Sequence, residues 1–329
     1  MTIDVEGFSP TATHHVTDLS QIHIARNQQT RDQPSFAFHR AHVMRLIAAA
    51  ASDILSRRSD SISHGHPLTI SIAGAGNCQD IDIAVLAELF AEIRLIDIDA
   101  AAVNLVVSKC PPGIAARIRV FAPIDIAAPL LSNLAATELH SESSQAFLTA
   151  LQSPSLSDEI PVSDVVVSAC ILSQLIDTAL QIVLPEAPEF LPLIQAVRRG
   201  HLARLLELTV AGGRTLLITD LVSSDTVPAL HQTPPVELPK LMFHCLQTGN
   251  FFSGLSPAVI QNDLQTIPTF AERCASFQIQ PPWLWQLGNR SFAVYAVDMQ
   301  RAARNEAIDG LANVPSATFG RTSLDKLSM

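Results

Sequence analysis

The feature that most constrains this chain is a strand, a glycine turn, a helix and a second strand in direct succession. An apolar run at 68–73 predicts a buried strand, and a Gly-Ala-Gly turn at 74–76 follows it directly. A helical pattern then leads to a second apolar run, 93–96, which ends on Asp97. Glycine lets a ligand approach the backbone because it has no Cβ, and a helix N-terminus offers free N–H groups. A carboxylate about 20 residues beyond such a turn can accept hydrogen bonds from ribose hydroxyls, so the unit predicts a nucleoside site.

Similar apolar runs recur along the chain and alternate with helical patterns. The strand-like runs are 68–73, 93–97, 117–121, 164–169, 214–219, 275–279 and 291–298, and the main helical patterns are 36–59, 80–91, 100–109 and 191–211. This alternation predicts an α/β fold in which helices cover both faces of a parallel sheet. The last two runs are joined by a short link at 287–290, which predicts a hairpin. We therefore expect a doubly wound, mostly parallel seven-stranded sheet with an antiparallel C-terminal hairpin strand.

The chain divides into three predicted segments. They are an N-terminal arm and helical cap (1–66), of which 1–33 is polar and irregular, a Rossmann-like domain (67–300) and a C-terminal tail (301–329). Within the domain, the Ser-rich stretch 126–162 predicts a surface insertion around one short helix. A second insertion, 221–274, follows the fifth strand and contains helical patterns near 237–248 and 256–265. It is a candidate lid, because loops at strand C-termini line the ligand crevice.

Composition narrows the partners and the compartment. The net charge is −10 and no Lys/Arg run exceeds two residues, which disfavours nucleic acid. No apolar run approaches 18 residues and the N-terminus is polar, so we expect neither a membrane span nor a signal peptide. The five cysteines form no C-x-x-C pair, which fits reduced thiols in the cytoplasm.

Residues just beyond the glycine turn indicate which nucleoside fits. A dinucleotide fingerprint requires a third glycine at position 79, where this chain has Gln79. Asp80 and Asp82 follow, and their carboxylates would repel a pyrophosphate. A P-loop lysine is also absent from the sequence. S-adenosylmethionine, which is positively charged and has no phosphate, fits these residues better.

From about residue 66 to 299 the chain resembles the class I S-adenosylmethionine-dependent methyltransferases. Segment 72–80 is similar to the glycine-rich first motif of that family, and 95–99 resembles its acidic second motif. Asp125 resembles the third-motif acid that contacts the adenine amino group, and 164–172 resembles the fourth motif. Segment 206–220 is similar to the fifth strand and the turn before it, although Ala211 replaces the usual proline.

The resemblance implies a set of cofactor-binding residues. They are Ala73, Gly74, Ala75, Gly76, Asp97, Ile98, Asp125, Ile126, Ser168, Ala169 and Cys170. Asp97 occupies the ribose-binding place of the family. Asp99 is the alternative ribose ligand, although its position at the start of the next helix favours an N-cap role.

The sequence identifies the methyl acceptor less clearly than the cofactor. Methyl transfer needs only in-line attack on the sulfonium methyl, and positioning supplies much of the rate, so we assign no catalytic residue. The motifs of nucleic-acid methylators are missing, and 168–171 reads Ser-Ala-Cys-Ile, which favours a small-molecule acceptor. Candidate substrate-binding residues are His231, His244, Phe251 and Phe252.

Other aromatic and histidine residues are expected to be structural. The alternating Trp283 and Trp285 fit core packing on a strand, and His39 and His42 fit solvated helix positions; we expect no metal site. Two other functions remain open: a non-catalytic cofactor-binding relative that acts as a regulatory or scaffold protein, and an NAD(P)-dependent oxidoreductase.

Overall fold

The computed structural model describes residues 19–30, 36–59, 66–132, 135–153 and 160–303. The strands are β1 (Thr69–Ala73), β2 (Glu92–Ile96), β3 (Ile118–Phe121), β4 (Ser163–Ala169), β5 (Thr209–Ser223), β6 (Cys274–Leu287) and β7 (Arg290–Arg301). The helices are α1 (Ser20–Thr30), α2 (Ala37–Ser59), α3 (Ile83–Leu89), α4 (Ala100–Ser108), α5 (Pro112–Ala115), α6 (Ala135–Leu139), α7 (Ser144–Gln152), α8 (Ile171–Ala179), α9 (Phe190–Glu207), α10 (Leu238–Thr248), α11 (Pro257–Thr266) and α12 (Pro268–Arg273), with a 3₁₀ helix at Pro228–Gln232.

All seven strands form one sheet, in the order β3-β2-β1-β4-β5-β7-β6. Strands β1 to β5 are parallel, whereas β7 runs antiparallel between β5 and the edge strand β6. The predicted fold class, including the antiparallel C-terminal hairpin, is confirmed.

Helices cover both faces of the sheet because side chains alternate along the strands. On β4, Val165 and Val167 belong to one buried cluster and Val166 belongs to the other. The first cluster contains the apolar face of α2, including Val43 and Ile47. The second contains buried residues of α8 and α9, including Leu172 and Leu193. None of the helices in the described parts of the chain is both long enough and apolar enough to cross a bilayer.

The helix predicted over 191–211 is too long at its C-terminal end. Helix α9 ends at Glu207, and β5 begins at Thr209 rather than at 214. The Thr209 hydroxyl donates to Leu205 O at 2.8 Å and also contacts the Thr215 hydroxyl at 2.6 Å, which fixes the change of direction. The Gly212-Gly213 pair that follows disfavours helix, and Gly212 has a φ of +76°.

The first insertion is part of the core rather than a surface excursion around one helix. It contains two helices, α6 and α7, and Phe147, Leu148 and Leu151 of α7 are buried. Their spacing gives α7 one apolar face, which packs against α9. The approach is so close that a Cβ at Gly200 of α9 would lie 1.8 Å from Leu151 O.

The second insertion is also fastened to the body of the domain. The predicted helices near 237–248 and 256–265 are present as α10 and α11, and α12 follows them. The buried Asp263 of α11 forms ion pairs with Arg198, also buried, at 2.7 Å and with the partly exposed Arg199 at 3.1 Å. The Tyr295 hydroxyl of β7 donates to Leu255 O at 2.7 Å. Helices α10 and α12 also pack against β6, and the lid interpretation of this segment stays a prediction.

The predicted N-terminal arm is helical where the structure describes it. Residues 20–30 form α1, whereas 1–18 and 31–35 lie outside the described residues, as do 304–329 of the predicted C-terminal tail.

Candidate functional site

The candidate site lies at the carboxyl ends of β1, β2 and β4. Ala73 at the end of β1 pairs with Ile96 of β2 on one side and with Ser168 of β4 on the other. The strand order reverses at β1, so the connections from β1 and β4 leave on opposite faces of the sheet. A crevice at this switch point is the usual ligand position in open α/β sheets.

The glycine turn is tied to the end of β2. The N–H groups of Gly74 and Ala75 both donate to Ile96 O, at 2.9 and 3.1 Å. Gly74 has a φ of +73°, and a Cβ there would lie 2.4 Å from the Ile171 side chain. Glycine is therefore required at 74 both by backbone conformation and by the close approach of α8.

Asp97 is held in place by the same turn. Its Oδ2 accepts the Gly76 N–H at 2.7 Å, and its Oδ1 accepts the Asp99 N–H at 2.7 Å. Burial raises the pKa of Asp97, and these backbone hydrogen bonds oppose the rise. Each carboxylate oxygen has a further acceptor position, so an oriented carboxylate remains able to accept from a ligand.

The helix N-terminus beyond the turn is already capped. Oδ1 of Asp82 accepts the N–H groups of Ala84 and Val85 at 3.0 and 3.2 Å. The expectation of N–H groups free for a ligand is therefore wrong for these two donors of α3. Asp99 caps α4 in the same way, accepting from Ala102 N at 3.0 Å, which is the role predicted for it.

A small pocket, partly open to solvent, lies beside Gly74 and Asp97. Its eleven lining residues are His23, Asn27, Gly74, Asp97, Ile98, Ile124, Ile126, Leu131, Ile171, Gln174 and Leu175. Four of these, Gly74, Asp97, Ile98 and Ile126, belong to the predicted cofactor set. No lysine or arginine occurs among the lining residues that the structure describes.

The other predicted cofactor residues lie beside the pocket or point away from it. Ala73, Ala75 and Gly76 form the turn behind it. Oδ1 of Asp125 accepts the Ala127 N–H at 2.7 Å, and the neighbours of Asp125, rather than Asp125 itself, line the pocket.

The end of β4 is turned toward α9 rather than toward the pocket. The Ser168 hydroxyl forms a hydrogen bond with His201 Nε2 at 2.8 Å, inside the core. Ala169 and Cys170 are buried beside it, and Cys170 has a φ of 54° where the chain enters α8. The small residues here allow Ile171, the next residue, to close the pocket over Gly74.

Helix α1 forms a wall of the pocket that the sequence did not indicate. The amide of Asn27 donates to Asp99 Oδ2 at 3.2 Å, and His23 Nε2 forms a hydrogen bond with the Thr178 hydroxyl at 3.0 Å. Arg26 forms an ion pair with Asp177 of α8. The expectation of an irregular arm is wrong for 20–30. Helix α1 docks largely through polar side chains, so no apolar period marks it in the sequence.

A second polar group lies near the glycine turn, where α2 meets β6. His39 is fully buried between Trp283 and Trp285, and its Nε2 lies 3.5 Å from Asp80 Oδ1. The expectation of a solvated position is wrong for His39, because the face of α2 that carries it packs on the tryptophans. Core packing of Trp283 and Trp285 is confirmed.

The four candidate substrate residues lie on the second insertion. His231 and His244 are exposed, and His231 Nδ1 forms a hydrogen bond with the Ser291 hydroxyl at 3.0 Å. Phe251 and Phe252 are half-buried against the core. None of the four is among the lining residues of the pocket.

Comparison with known proteins gives no match to a family model and no match to a curated protein. Among solved structures, the chain is similar to the plantazolicin methyltransferase BpumL in complex with SAH, with 10% identity, a TM-score of 0.44, and coverage of 87% of this chain and 95% of that one.

Two further structures show weaker similarity. For magnesium protoporphyrin IX methyltransferase (ChlM) from Synechocystis PCC 6803 with bound SAH, identity is 10%, the TM-score is 0.38, and coverage is 86% of this chain and 96% of that one. For the S-adenosylmethionine-dependent methyltransferase SibL, identity is 14%, the TM-score is 0.34, and the match spans 73% of this chain but only 51% of SibL. Similarity at this level assigns no function, which must rest on the chain's own residues.

Proposed function

We propose that the protein is an S-adenosylmethionine-dependent methyltransferase with a small-molecule acceptor. The observation that carries this proposal is the use of backbone donors around the glycine turn. The N–H groups of residues 74, 75 and 76 are donated to Ile96 O and to the Asp97 carboxylate, and the first turn of α3 is capped by Asp82. A phosphate would compete with the chain's own acceptors for every one of these donors.

The charge around the strand ends favours a cation over an anion. Burial, together with the carboxylates of Asp97 and Asp80, raises the pKa of the Cys78 thiol. Burial and the carboxylates of Asp220 and Asp80 likewise raise the pKa of Cys170. With no lysine or arginine among the described lining residues, the pocket fits a nucleoside that carries positive charge and no phosphate.

Each part of the pocket then has a role in holding this ligand. Asp97 accepts hydrogen bonds from the ribose hydroxyls, and the apolar side chains of Ile98, Ile124 and Ile126 contact the adenine ring. Gly74 lets the ligand lie directly on the turn. The sulfonium of S-adenosylmethionine supplies the methyl group, and the chain contributes binding and alignment for in-line attack by the acceptor.

The net charge of −10 supports a small-molecule acceptor over nucleic acid. All five cysteines are free thiols, which is consistent with the cytoplasmic location that we propose.

The proposal is tested by calorimetric titration with S-adenosylmethionine, S-adenosylhomocysteine, NAD⁺ and NADP⁺. We expect the first two to bind at one site and the nicotinamide nucleotides not to bind. Binding of NAD⁺ or NADP⁺ alone would identify an oxidoreductase instead. Transfer of a labelled methyl group to acceptors in a metabolite extract then separates an enzyme from a non-catalytic relative, which would bind the nucleoside without turnover.

A further inference from the structure

We propose that the carboxyl group of Asp80, positioned by His39, binds the cationic group of the nucleoside ligand. The inference rests on the proposed function. Asp80 is not among the lining residues of the pocket described above. Asp80 lies four residues after Gly76, on the loop between the glycine turn and α3.

The first observation is a pair of buried polar atoms that face each other without a hydrogen bond. His39 Nε2 and Asp80 Oδ1 are 3.5 Å apart, and neither has a hydrogen-bond partner among the described residues. The His39 side chain is 0% exposed, whereas the Asp80 side chain is 23% exposed although its Oδ1 is buried. One side of the Asp80 carboxyl group therefore faces His39, and its remaining atoms account for the exposure.

The second observation fixes the orientation of the imidazole. The indole Nε1–H of Trp283 donates to His39 Nδ1 at 3.0 Å, so Nδ1 carries no proton. Burial, with a smaller contribution from His42, lowers the pKa of His39 to about 3, so the ring is neutral at physiological pH. The single ring proton is then on Nε2, directed at Asp80. His39 can orient the carboxylate, but it cannot neutralise its charge.

The remaining charges around Asp80 also leave it without a full counter-charge. Arg40 is the nearby cation, and its Nε donates to Gln79 O at 2.7 Å. The other charges that act in this region are acidic: Asp97 raises the pKa of Cys78, and Asp220 raises the pKa of Cys170, each together with Asp80. Burial outweighs Arg40 and raises the pKa of Asp80 to about 7. A desolvated carboxylate of this kind is stabilised when a cation reaches it.

The position of Asp80 fits the end of the ligand that carries charge. Asp80 lies on the turn that follows Gly76, in which Cys78 N donates to Ala75 O at 2.8 Å. Gly74, at the start of the same loop, lies against Ile171, and both line the pocket. Asp97 and the apolar residues around Ile124 lie on the β2 and β3 side of the pocket, where the nucleoside is proposed to bind. The part of the ligand that extends toward β4 would therefore reach Asp80. In S-adenosylmethionine that part carries both a sulfonium and an ammonium group.

Three ligands distinguish the two cations in calorimetric titrations of the wild type and Asp80→Asn. S-adenosylmethionine has both charges, S-adenosylhomocysteine has only the ammonium, and 5′-methylthioadenosine has neither. A hydrogen-bonded charge pair predicts a loss of about 10- to 100-fold in affinity. Weakening of the first two ligands identifies the ammonium, and weakening of the first alone identifies the sulfonium. An equal effect on all three ligands, or no effect, overturns the inference.

The pH dependence is a readout that a purely structural role would not change. Only the ionised Asp80 binds the cation, so the wild-type affinity for S-adenosylmethionine should fall up to about tenfold per pH unit below pH 7. Asp80→Asn should remove this dependence. His39→Gln retains an N–H donor and should lose less affinity than His39→Phe. The matched control is Glu88→Gln, which removes an exposed carboxylate from α3 and should leave all three affinities unchanged.

Failure of the inference and failure of the proposed function give different results. If the wild type binds none of the three ligands, the proposed function is wrong and the inference falls with it. If the wild type binds them and Asp80→Asn has the same affinities and the same pH dependence, only the inference is overturned.

Discussion

Two aspartates at the same sheet edge are treated in opposite ways by the fold. Asp97, at the end of β2, receives two backbone N–H groups at 2.7 Å each. Asp80, on the loop after β1, has a buried oxygen 3.5 Å from the neutral imidazole of His39 and without a hydrogen-bond partner among the described residues. The first carboxylate is stabilised by the chain itself and is ready for neutral hydroxyl donors. The second lacks a complete partner, and we propose that a charged ligand supplies it. The fold therefore completes the surroundings of Asp97 by itself, whereas we propose that the ligand completes those of Asp80.

The largest expected effect comes from removing the satisfied carboxylate. Asp97→Ala should abolish measurable binding of S-adenosylmethionine, because two hydrogen bonds from ribose to a charged acceptor are lost. At about 1.5–3 kcal/mol each, they account for roughly two to four orders of magnitude in Kd. Calorimetric titration measures the change.

Asp99→Asn is the matched control for Asp97, because Asp99 is the alternative ribose ligand and asparagine retains the N-cap. Its affinity should fall by no more than about tenfold, because asparagine can still cap α4 but can then no longer accept from the Asn27 amide. If Asp97→Ala binds S-adenosylmethionine normally and Asp99→Asn does not bind it, then Asp99 rather than Asp97 is the ribose ligand.

Ionisation of Asp80 should lower the stability of the ligand-free protein. Asp80 titrates near 3.8 when unfolded and at about 7 when folded. Below pH 3.8 it is protonated in both states; as pH rises toward 7 the unfolded chain loses the proton first, and stability falls. Asp80→Asn should therefore be more stable than the wild type above pH 7, by at most about 4 kcal/mol, and not at pH 4. Denaturant melts at the two pH values test this, and an equal difference at both would contradict it.

The wall formed by α1 should have a smaller effect. Asn27→Ala removes the hydrogen bond to Asp99. It also removes a close contact with Gly76: a Cβ added at position 76 would lie only 2.7 Å from Asn27 Oδ1. A loss of about 0.5–1.5 kcal/mol corresponds to a few-fold to about tenfold weaker binding of S-adenosylmethionine. Gln29→Ala on the same helix, outside the pocket, is the control. Equal affinities for Asn27→Ala and the wild type would show that Asn27 of α1 does not contribute to cofactor binding.

The smallest effect is expected on the second insertion. His244 is exposed on α10 and lies outside the pocket, so His244→Ala should change neither stability, beyond about 0.5 kcal/mol, nor cofactor affinity. His231→Ala should lower stability by about 1 kcal/mol, because it loses the bond to Ser291. A change of cofactor affinity in either variant would show that the second insertion contributes to nucleoside binding.

The sequence was sufficient for the elements whose signals are local. The alternation of apolar runs predicted all seven strands and the C-terminal hairpin, and the Gly-Ala-Gly turn with Asp97 marked one side of the pocket. These features depend on residues close in sequence, where periodicity and glycine placement determine the backbone. The same reasoning set Asp99 apart from Asp97 as an N-cap.

The parts that the sequence did not predict depend on contacts between distant residues. Asn27 reaches Asp99 across 72 positions, and Trp283 reaches His39 across 244. Both contacts are polar, so no apolar period marks them. The first insertion was misjudged for a related reason: its serines predicted a surface insertion, whereas Phe147 of α7 is buried in the core.

A crystal structure of the protein with S-adenosylhomocysteine would show where the nucleoside binds. We expect the nucleoside to lie in the pocket beside Gly74, with a ribose hydroxyl oxygen within about 3 Å of the Asp97 carboxylate. A nucleoside bound away from the ends of β1 and β2, or one whose ribose makes no contact with Asp97, would contradict this expectation.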